Sequence, residues 1–369
     1  MVKRVTTARR RKLALLLPAH DEELILAATI QSAVAAGQPL EDIFVVDDAS
    51  TDKTRKIAIK HLGRKHVLTV EHSGKGLAIH KAIQYFNIEK RYVWLHVADA
   101  DSVFCKDYFR MYKRKLNTQK YSVAVGFVQS LRGNWISRYR AFCYTYGQHI
   151  MRRIQSYLGM ISVFPGPITC FKTDIIKDLD LTSKGLTEDF DITLQVHRKK
   201  LGKIRFIPEA INYTQDPQTL RDFCNQNLRW QRGFFQGVTK YKVGRRLQKI
   251  DFSLGYQMFE ALFYIVQMLI FVPYITITTH TWFIMPLVLI SDYLIIVGLA
   301  LFSAVISKRW SILQSLPYFY ILRWIELGIF IRAYVEVVIM HQYRSDVVGW
   351  SVKGRRYALD TNALKDAAK

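Results

Sequence analysis

Val93-Trp94-Leu95-His96-Val97-Ala98-Asp99-Ala100-Asp101 joins a short apolar run to two carboxylates. The apolar run is short and contains β-branched residues, which predicts a buried strand. A carboxylate at the end of a buried strand is costly without a partner. Ligands of α/β proteins bind at the carboxyl edge of the parallel strands, so Asp99 and Asp101 predict a binding edge there. An ordinary strand followed by an Asp-rich turn is the alternative.

Strand-like and helix-like segments alternate on both sides of this stretch. The predicted strands are 12–17, 42–46, 67–70, 93–98 and 122–128, and the predicted helices run from the acids at 21–23 to Ala36, over 54–62 and over 77–86. The acids are placed at a helix start because the helix macrodipole favours them there. This alternation predicts an α/β fold with a parallel sheet and right-handed connections. The second strand also ends in acids, Asp47 and Asp48, a repetition that solvated turns alone explain poorly.

The composition limits the classes of partner. The chain has 369 residues, a net charge of +23 and 50% hydrophobic residues, which leaves room for about two domains. A chain that is both basic and apolar predicts contact with an anionic membrane surface, an anionic substrate or nucleic acid. The four cysteines are spaced too widely for a zinc cluster.

Three further motifs carry polar side chains in patterns that are typical of binding or catalytic sites. Gly74-Lys75-Gly76 lacks the spacing of a phosphate loop and predicts a Gly-rich turn with one cation at a helix start. Thr187-Glu188-Asp189 precedes an apolar helix, with Thr187 as its predicted N-cap. Its acids either serve the helix dipole or supply a base that takes a proton from a hydroxyl group.

The third motif lies on a helix predicted to begin near Thr219. Gln226, Arg229 and Trp230 fall at positions i, i+3 and i+4, which predicts that they share one face. Arginine suits diphosphate oxygens, and an indole suits the C–H face of a sugar ring. A surface helix with an aromatic anchor is the alternative.

Taken together, these motifs resemble the family-2 inverting glycosyltransferases. The segments that carry the resemblance, in the family's order and spacing, are 18–22, 45–52, 74–76 and 99–101. Asp21 stands where the family more often has Asn. Gln226-x-x-Arg229-Trp230 resembles the polysaccharide-synthase branch of the family, which makes cellulose, hyaluronan or poly-N-acetylglucosamine. The resemblance covers most of residues 12–240 and implies a GT-A-type, Rossmann-like catalytic domain.

The resemblance also implies roles for individual residues. Asp189 would be the catalytic base, and Asp99 and Asp101 would hold Mg²⁺ or Mn²⁺. The residues expected to bind the nucleotide sugar are Ala19, Glu22, Asp48, Lys75, Asp99, Gln226, Arg229 and Trp230. The expected donor is a UDP-hexose or a UDP-N-acetylhexosamine. A single displacement inverts the anomeric centre, so an α-linked donor gives a β-linked product.

Three functions stay open at this stage. The first is a membrane-bound synthase that elongates a saccharide, with processive elongation left open. The second is a non-processive transferase that adds one sugar to a lipid-linked acceptor. The third is a basic, membrane-attached protein that binds nucleic acid or lipid, which leaves the acidic strand ends unexplained; nucleic acid is therefore not an expected partner.

The second half of the chain predicts a membrane region. Tyr256–Thr278 and Trp282–Ile306 are apolar runs of membrane-spanning length. Lysines and arginines flank this pair on both sides and are absent between the two runs, which predicts a cytoplasmic catalytic domain. A third segment, Leu316–Met340, contains four ionisable groups and is predicted to be interfacial, re-entrant or buried in a helix bundle.

The predicted organisation follows from these segments. It comprises a basic tail over 1–11, a cytoplasmic GT-A-type domain over 12–250, a membrane region over 251–340 and a basic cytoplasmic tail over 341–369. The predicted location is the inner or plasma membrane, as a multi-pass protein with a bilayer and a partner subunit or a second copy as neighbours. Trp350–Arg356 resembles the gating loop of processive synthases, although a plain basic juxtamembrane segment fits it equally.

Overall fold

Strands and helices alternate through the first two thirds of the chain, and helices alone follow. The computed structural model describes residues 11–116, 120–182 and 185–342. The strands are β1 Arg11–Ala19, β2 Ile43–Asp48, β3 Val67–Val70, β4 Tyr92–Val97, β5 Val103–Phe104, β6 Tyr121–Ser130, β7 Thr169–Lys172 and β8 Lys203–Thr214. The helices are α1 Leu26–Ala35, α2 Thr54–Leu62, α3 Lys75–Tyr85, α4 Ile88–Arg91, α5 Tyr108–Lys115, α6 Trp135–Tyr146, α7 Arg153–Leu158, α8 Glu188–Arg198, α9 Leu220–Lys240, α10 Lys249–Val266, α11 Val272–Thr278, α12 Ile284–Ser307 and α13 Phe319–Tyr334.

The strands form one eight-stranded sheet in the order β3-β2-β1-β4-β7-β6-β8-β5. The neighbours β3, β2, β1 and β4 are parallel, which confirms the predicted mostly parallel α/β sheet. β7 runs antiparallel between β4 and β6, and β5 runs antiparallel beside β8. Alternate residues of β1 enter two apolar cores, with Leu13 and Leu15 on one face of the sheet and Ala14 and Leu16 on the other. Helices cover both faces, which explains the continuous apolar character of the parallel strands.

The start of the first helix differs from the prediction. α1 begins at Leu26 with no acid in its first turn, whereas the sequence placed it at the acids of 21–23. Asp21 Oδ1 instead accepts a hydrogen bond from the backbone N–H of Thr51 at 2.7 Å, and Glu23 Oε2 accepts one from the N–H of Lys53 at 3.0 Å. The two carboxylates therefore accept hydrogen bonds from the loop after β2. These bonds outweigh the attraction of the helix dipole that would have placed the acids at the start of α1.

Helices α8 and α9 approach closely because α9 carries two glycines on the contacting face. A Cβ on Gly233 would lie 2.2 Å from Thr187 Oγ1, and one on Gly237 would lie 2.5 Å from Phe190 Cε1. Thr187 occupies the predicted N-cap position of α8, but its hydroxyl group makes no capping hydrogen bond and packs against α9 instead. The glycines thus set the distance between two helices that both carry predicted site residues.

We expect Gly233→Ala to destabilise the fold and to slow turnover, because the new methyl group forces α8 and α9 apart. Overpacking of this kind costs about 1–3 kcal/mol, of which the better helix propensity of alanine returns up to about 1 kcal/mol. Thermal unfolding and turnover measure both effects. Gly255→Ala is the matched control, since a Cβ at that exposed position of α10 meets no atom within 4 Å. Equal unfolding midpoints for the two variants would contradict the packing argument.

Two helical stretches in the part of the chain described here are long and apolar enough to cross a membrane. They are Lys249–Thr278, with a short π-helical segment inside it, and Ile284–Ser307. Only 17% and 11% of their most apolar windows are buried, so neither is the core helix of a soluble domain. The ionisable groups of α13 are paired: Tyr139 donates to Glu326 at 2.6 Å, and Arg323 lies 3.7 Å from Asp292 of α12. Beyond α13, Glu336 lies 2.6 Å from Arg232 of α9, which ties this segment to the sheet domain.

Candidate active site

Three of the predicted acidic residues lie at one edge of the sheet. β1 is hydrogen-bonded in parallel to β2 on one side and to β4 on the other, with Ala19 opposite Asp47 and Leu16 opposite Val97. The carboxyl ends of β2 and β4 therefore lie on either side of β1. Asp48 closes β2, and Asp99 and Asp101 follow β4, which is the placement that the sequence predicted.

Lys75 connects this edge to the Thr-Glu-Asp motif. Its Nζ lies 2.7 Å from Asp99 Oδ1 and 2.7 Å from Glu188 Oε1. Burial alone would lower the pKa of the Lys75 ammonium group, but Asp99 and Glu188 outweigh it and hold that pKa above its ordinary value. Lys75 therefore stays charged and joins the end of β4 to the first turn of α8.

Glu188 and Asp189 are adjacent carboxylates with different electrostatic surroundings. Burial opposes ionisation of Glu188, but the contact with Lys75 outweighs it and lowers the pKa of Glu188. Burial and then the charge of Glu188 raise the pKa of Asp189 to about 6. Its Oδ1 accepts a hydrogen bond from the backbone N–H of Phe190 at 2.8 Å. Of the two, Asp189 is the stronger base, which suits proton abstraction near neutral pH.

The loop before β7 completes this corner of the site. A Cβ on Gly166 would lie 2.7 Å from Lys75 Nζ and 3.4 Å from Asp99 Oδ1, so glycine lets the loop pass this ion pair without displacing the end of the lysine side chain. Lys75, Gly166, Glu188 and Asp189 also line one cavity, whose inner wall is apolar. The cavity gives the carboxylates a low-dielectric side, which agrees with the raised pKa of Asp189.

Asp48 is fully buried and holds the loop that precedes α3. Its carboxylate accepts hydrogen bonds from the backbone N–H groups of Ser73 at 2.8 Å and Gly74 at 3.0 Å, and His72 lies 3.2 Å away. The nucleotide contact expected of Asp48 stays a prediction, as do those of Ala19 and Glu22, both buried beside it in the chain before α1. Asp48 also has a positioning role, because it fixes the turn from which Lys75 extends.

Gln226, Arg229 and Trp230 lie on one continuous helix, α9, at the predicted i, i+3 and i+4 spacing, but their side chains do not all contact one group. Gln226 Oε1 accepts a hydrogen bond from Arg140 Nη2 at 3.1 Å, and the Arg140 guanidinium lies 4.6 Å from the centre of the Trp230 ring. Arg229 instead donates to the carbonyl oxygen of Leu186 at 3.1 Å and helps to lower the pKa of Glu188. At this spacing the three positions span about 100° of the helix circumference, so Arg229 reaches α8 from one side of the face while Gln226 and Trp230 reach Arg140.

Sequence reasoning missed three residues of this site. The sequence motifs include Glu188 only beside Thr187 and Asp189, and they contain neither Gly166 nor Arg140. Arg140 is buried, and its guanidinium also stacks 4.9 Å from the Phe223 ring centre. A buried arginine needs partners, so its position inside an apolar helix pattern was the available signal.

The oxygen donors at the end of β4 fit a divalent metal. Carboxylates are the ligands that Mg²⁺ and Mn²⁺ prefer, and Mg²⁺ is commonly held by one or two carboxylates together with substrate phosphates. Within the described ranges, no three His, Cys, Asp or Glu side chains converge to form a complete metal cage. This donor set therefore suits a metal that is shared with a bound diphosphate.

Lys75 joins the acidic edge of the sheet to the acids of α8, an arrangement that suits an enzyme whose substrate carries phosphate groups. The chain belongs to the glycosyltransferases of the family described as "Glycosyltransferase like family 2", whose model matches residues 10–233. Residues 10–233 have the GT-A-like α/β fold of this family.

Two curated relatives and one solved structure illustrate the similarity. The chain is 28% identical over 268 residues to the probable glycosyltransferase YdaM of Bacillus subtilis, covering 67% of this chain and 62% of that protein. It is 23% identical to the poly-β-1,6-N-acetyl-D-glucosamine synthase of Staphylococcus epidermidis over 60% of this chain and 54% of that protein. The chain thus spans less than two thirds of the length of either relative.

The solved structure is the mannosyltransferase PcManGT from Pyrobaculum calidifontis in complex with GDP-Man and Mn²⁺. Its TM-score is 0.54 at 15% sequence identity, and the match covers 90% of this chain and 88% of that one. The shared fold therefore extends beyond residue 233 into the helical region.

Proposed function

We propose that this enzyme is a membrane-bound inverting glycosyltransferase that moves a sugar from a nucleotide sugar, UDP-linked by preference, to a saccharide or lipid-linked acceptor. The observation that carries the proposal is the pair of contacts made by Lys75. Within the described part of the chain, Lys75 bridges Asp99 and Glu188, and it forms no ion pair with Asp189, the proposed base. The Staphylococcus relative, named as a polysaccharide synthase, supports a saccharide acceptor. The bound GDP-Man and Mn²⁺ of PcManGT support a nucleotide sugar and a divalent metal.

In the proposed mechanism, Asp189 accepts the proton of the acceptor hydroxyl group while that oxygen attacks the anomeric carbon. One displacement inverts that carbon, and no second carboxylate is needed as a nucleophile. Asp99 and Asp101 would hold Mg²⁺ or Mn²⁺, which would supply positive charge to the leaving nucleoside diphosphate. Lys75 orients Asp99 and Glu188, and Arg229 adds positive charge beside the same corner of the site.

We propose that Gln226, Trp230 and Asp48 contribute to the site by positioning neighbouring groups and by bordering the substrates. Gln226 and Trp230 form, with Arg140, a packed wall from which the indole borders the acceptor. Asp48 fixes the loop before α3 and contacts the nucleoside, with Ala19 and Glu22 beside it. These contacts rest on the family resemblance together with the positions of the side chains at one sheet edge.

The membrane part of the proposal rests on exposed apolar helices. The large side chains that stay exposed on Lys249–Thr278 and Ile284–Ser307 include Phe259, Phe271, Leu287 and Ile295. Water is a poor solvent for such a surface, whereas lipid tails match it. The positively charged residues that flank the two apolar runs in the sequence support a cytoplasmic sheet domain. A third segment built from α13 packs on the sheet domain through its paired charges and lies in the bundle or at the interface.

Residues 343–369, which include Trp350–Arg356, lie outside the described residues.

A donor panel tests the proposed reaction. Membranes that contain the full chain are incubated with radiolabelled UDP-glucose, UDP-N-acetylglucosamine or GDP-mannose and with Mn²⁺ or Mg²⁺, and products are sized by gel and mass spectrometry. We expect transfer from one UDP-sugar, its loss with a chelator and its return with added metal. Product length separates elongation of a saccharide from single transfer to a lipid carrier. Salt-sensitive nucleic-acid binding with no transfer from any donor would contradict the proposal.

We expect turnover at saturating substrate to fall about tenfold for each pH unit below about 6, because protonated Asp189 cannot accept a proton. Above that pH the rate should level off, since the carboxylate is then ionised. A pH–rate profile measures this. The exposed Asp180→Asn variant should keep the wild-type profile, as its carboxylate lies outside the site. A profile that stays flat down to about pH 4.5 would rule out a base with this pKa.

A further inference from the structure

One surface of the sheet domain combines exposed apolar side chains with unopposed positive charge. It consists of α7, the loop 241–248 between α9 and α10, and the first turn of α10. We call this surface the basic foot. Its members are Arg153, Ile154, Tyr157, Leu158, Lys242, Arg245, Arg246, Leu247, Lys249 and Phe252.

The parts of the basic foot are held together by direct contacts. Lys249 Nζ donates to the carbonyl oxygen of Leu158 at 3.2 Å, which joins α10 to the end of α7. Asp251 is held by both guanidinium nitrogens of Arg198 and also accepts from the backbone N–H of Gly244 at 3.2 Å. The foot is therefore a defined surface on folded elements and includes the point where α10 begins.

The apolar members of the foot are unusually exposed. Tyr157 is 91% exposed, Leu247 70% and Phe252 63%, and Ile154 and Leu158 are exposed beside them. Single exposed apolar residues are ordinary on soluble proteins, but several large ones on one surface mark a binding surface. The exposed apolar surface continues along α10 through Tyr256 and Phe259. The foot thus borders directly on the helix that we propose enters the bilayer.

The charges of the foot have one sign. Residues 152–158 and 240–250 contain lysines and arginines and no acidic residue. Asp251, the next acid along the chain, is buried and neutralised by Arg198, and Lys240 is paired with Asp191. Glu209 faces Arg153 from β8 but also pairs with Lys115. The exposed cations Lys242, Arg245, Arg246 and Lys249 therefore dominate the local field.

We infer that the basic foot binds the headgroups of anionic lipids and seats the sheet domain on the membrane surface. The inference rests on the proposed function only in taking α10 to enter a bilayer. Aromatic and aliphatic side chains between cations are typical of segments that lie at a membrane interface, where each cation near the surface adds favourable attraction to anionic lipid. A nucleic-acid partner would use the cations but would leave Ile154, Leu158, Leu247 and Phe252 in water. An anionic bilayer satisfies both sets of side chains.

Hydrogen exchange on the full chain in lipid nanodiscs tests this inference. One disc is made of phosphatidylcholine alone, and the other contains about one third phosphatidylglycerol, a charge density at which surface attraction is large. We expect amide exchange of segments 153–158 and 242–248 to slow on the order of tenfold in the anionic disc. High salt should remove most of that protection, because it screens surface charge. Equal exchange rates in the two discs would overturn the inference.

Variants assign the effect to the foot. Arg245→Gln/Arg246→Gln and Tyr157→Ser/Leu247→Ser should each lose most of the lipid-dependent protection. Arg64→Gln/Lys65→Gln, two exposed cations beside the edge strand β3, should keep it. Protection that survives in both foot variants would overturn the assignment. Protection by double-stranded DNA in phosphatidylcholine discs, without protection by anionic lipid, would assign the foot to nucleic acid instead.

The failure of this inference is distinguishable from the failure of the proposed reaction. Hydrogen exchange reads the foot directly and needs no donor, so it reports on lipid contact even if no nucleotide sugar is used. Conversely, turnover in detergent without anionic lipid should be the same for wild type and both foot variants. A foot variant that loses turnover in detergent while its unfolding midpoint is unchanged would place the foot in the catalytic machinery and would contradict the inference.

Discussion

Asp189→Asn is expected to reduce glycosyl transfer by about 10²–10⁴-fold and to leave donor binding nearly unchanged. The amide has almost the same shape as the carboxylate, but it cannot accept the acceptor proton. The interaction of Asp189 with substrate becomes favourable only as the hydroxyl proton departs, so the loss should fall on the rate of the chemical step. Turnover of the full chain in membranes and nucleotide-sugar affinity by calorimetry measure the two effects separately.

Asp180→Asn is the matched control for this change, because Asp180 is an exposed carboxylate before α8 that accepts hydrogen bonds from the backbone N–H and the hydroxyl group of Thr182. It should keep wild-type turnover. Hydrolysis of the donor by water adds a second measurement, since it also needs a base and should fall in parallel with transfer. Wild-type turnover in Asp189→Asn with donor bound would remove Asp189 from the mechanism.

Lys75→Met is the second change with a large expected effect. It leaves Glu188 without its cation and frees Asp99, whose carboxylate lies beside Gly166. Removing one partner of a buried ion pair costs about 3–5 kcal/mol, and partial exposure of Asp99 reduces this to about 2–3 kcal/mol here. We expect a lower unfolding midpoint and a loss of turnover of at least about 10²-fold, since the two carboxylate motifs are no longer aligned.

A double variant separates the contribution of charge from that of shape. Lys75→Met/Glu188→Gln removes one of the two carboxylates that Lys75 had paired, so part of the stability should return while turnover stays low. Such coupling between contacting residues is what a double-mutant cycle measures. Lys90→Met, an exposed cation on α4, serves as the control and should change neither property. Additive effects of the Lys75 and Glu188 changes would contradict a direct ion pair.

The sequence predicted the parallel half of the sheet and its acidic edge because those features are local. Short apolar runs that end in Asp48 or Asp99 specify both the strand and its functional end. The antiparallel position of β7 between β4 and β6 could not be predicted, because the hydrophobic pattern of a strand does not indicate which distant strand it pairs with.

The same reasoning explains which parts of the site were found. The motif singles out Asp189 as a candidate base, but the contrast between its pKa and that of Glu188 depends on Lys75, which lies more than a hundred residues away in the sequence. Arg140 was missed because its partners come from α9 and from Trp230 and Phe223 on that helix, while its own segment follows an apolar helical pattern. Charges buried through tertiary contacts follow no spacing rule.

The Arg198–Asp251 ion pair has a mechanical consequence. It clamps the last turn of α8 to the first turn of α10, and Asp189 lies on the same rigid α8, nine residues away or about 14 Å along the helix axis. Through this ion pair, Asp189 is connected without a flexible linker to α10, the helix that we propose enters the bilayer. A bilayer that tilts α10 would therefore tilt Asp189, the proposed base, with it. The thickness of the bilayer would then determine how far an anchored acceptor must extend before its hydroxyl group meets the donor sugar.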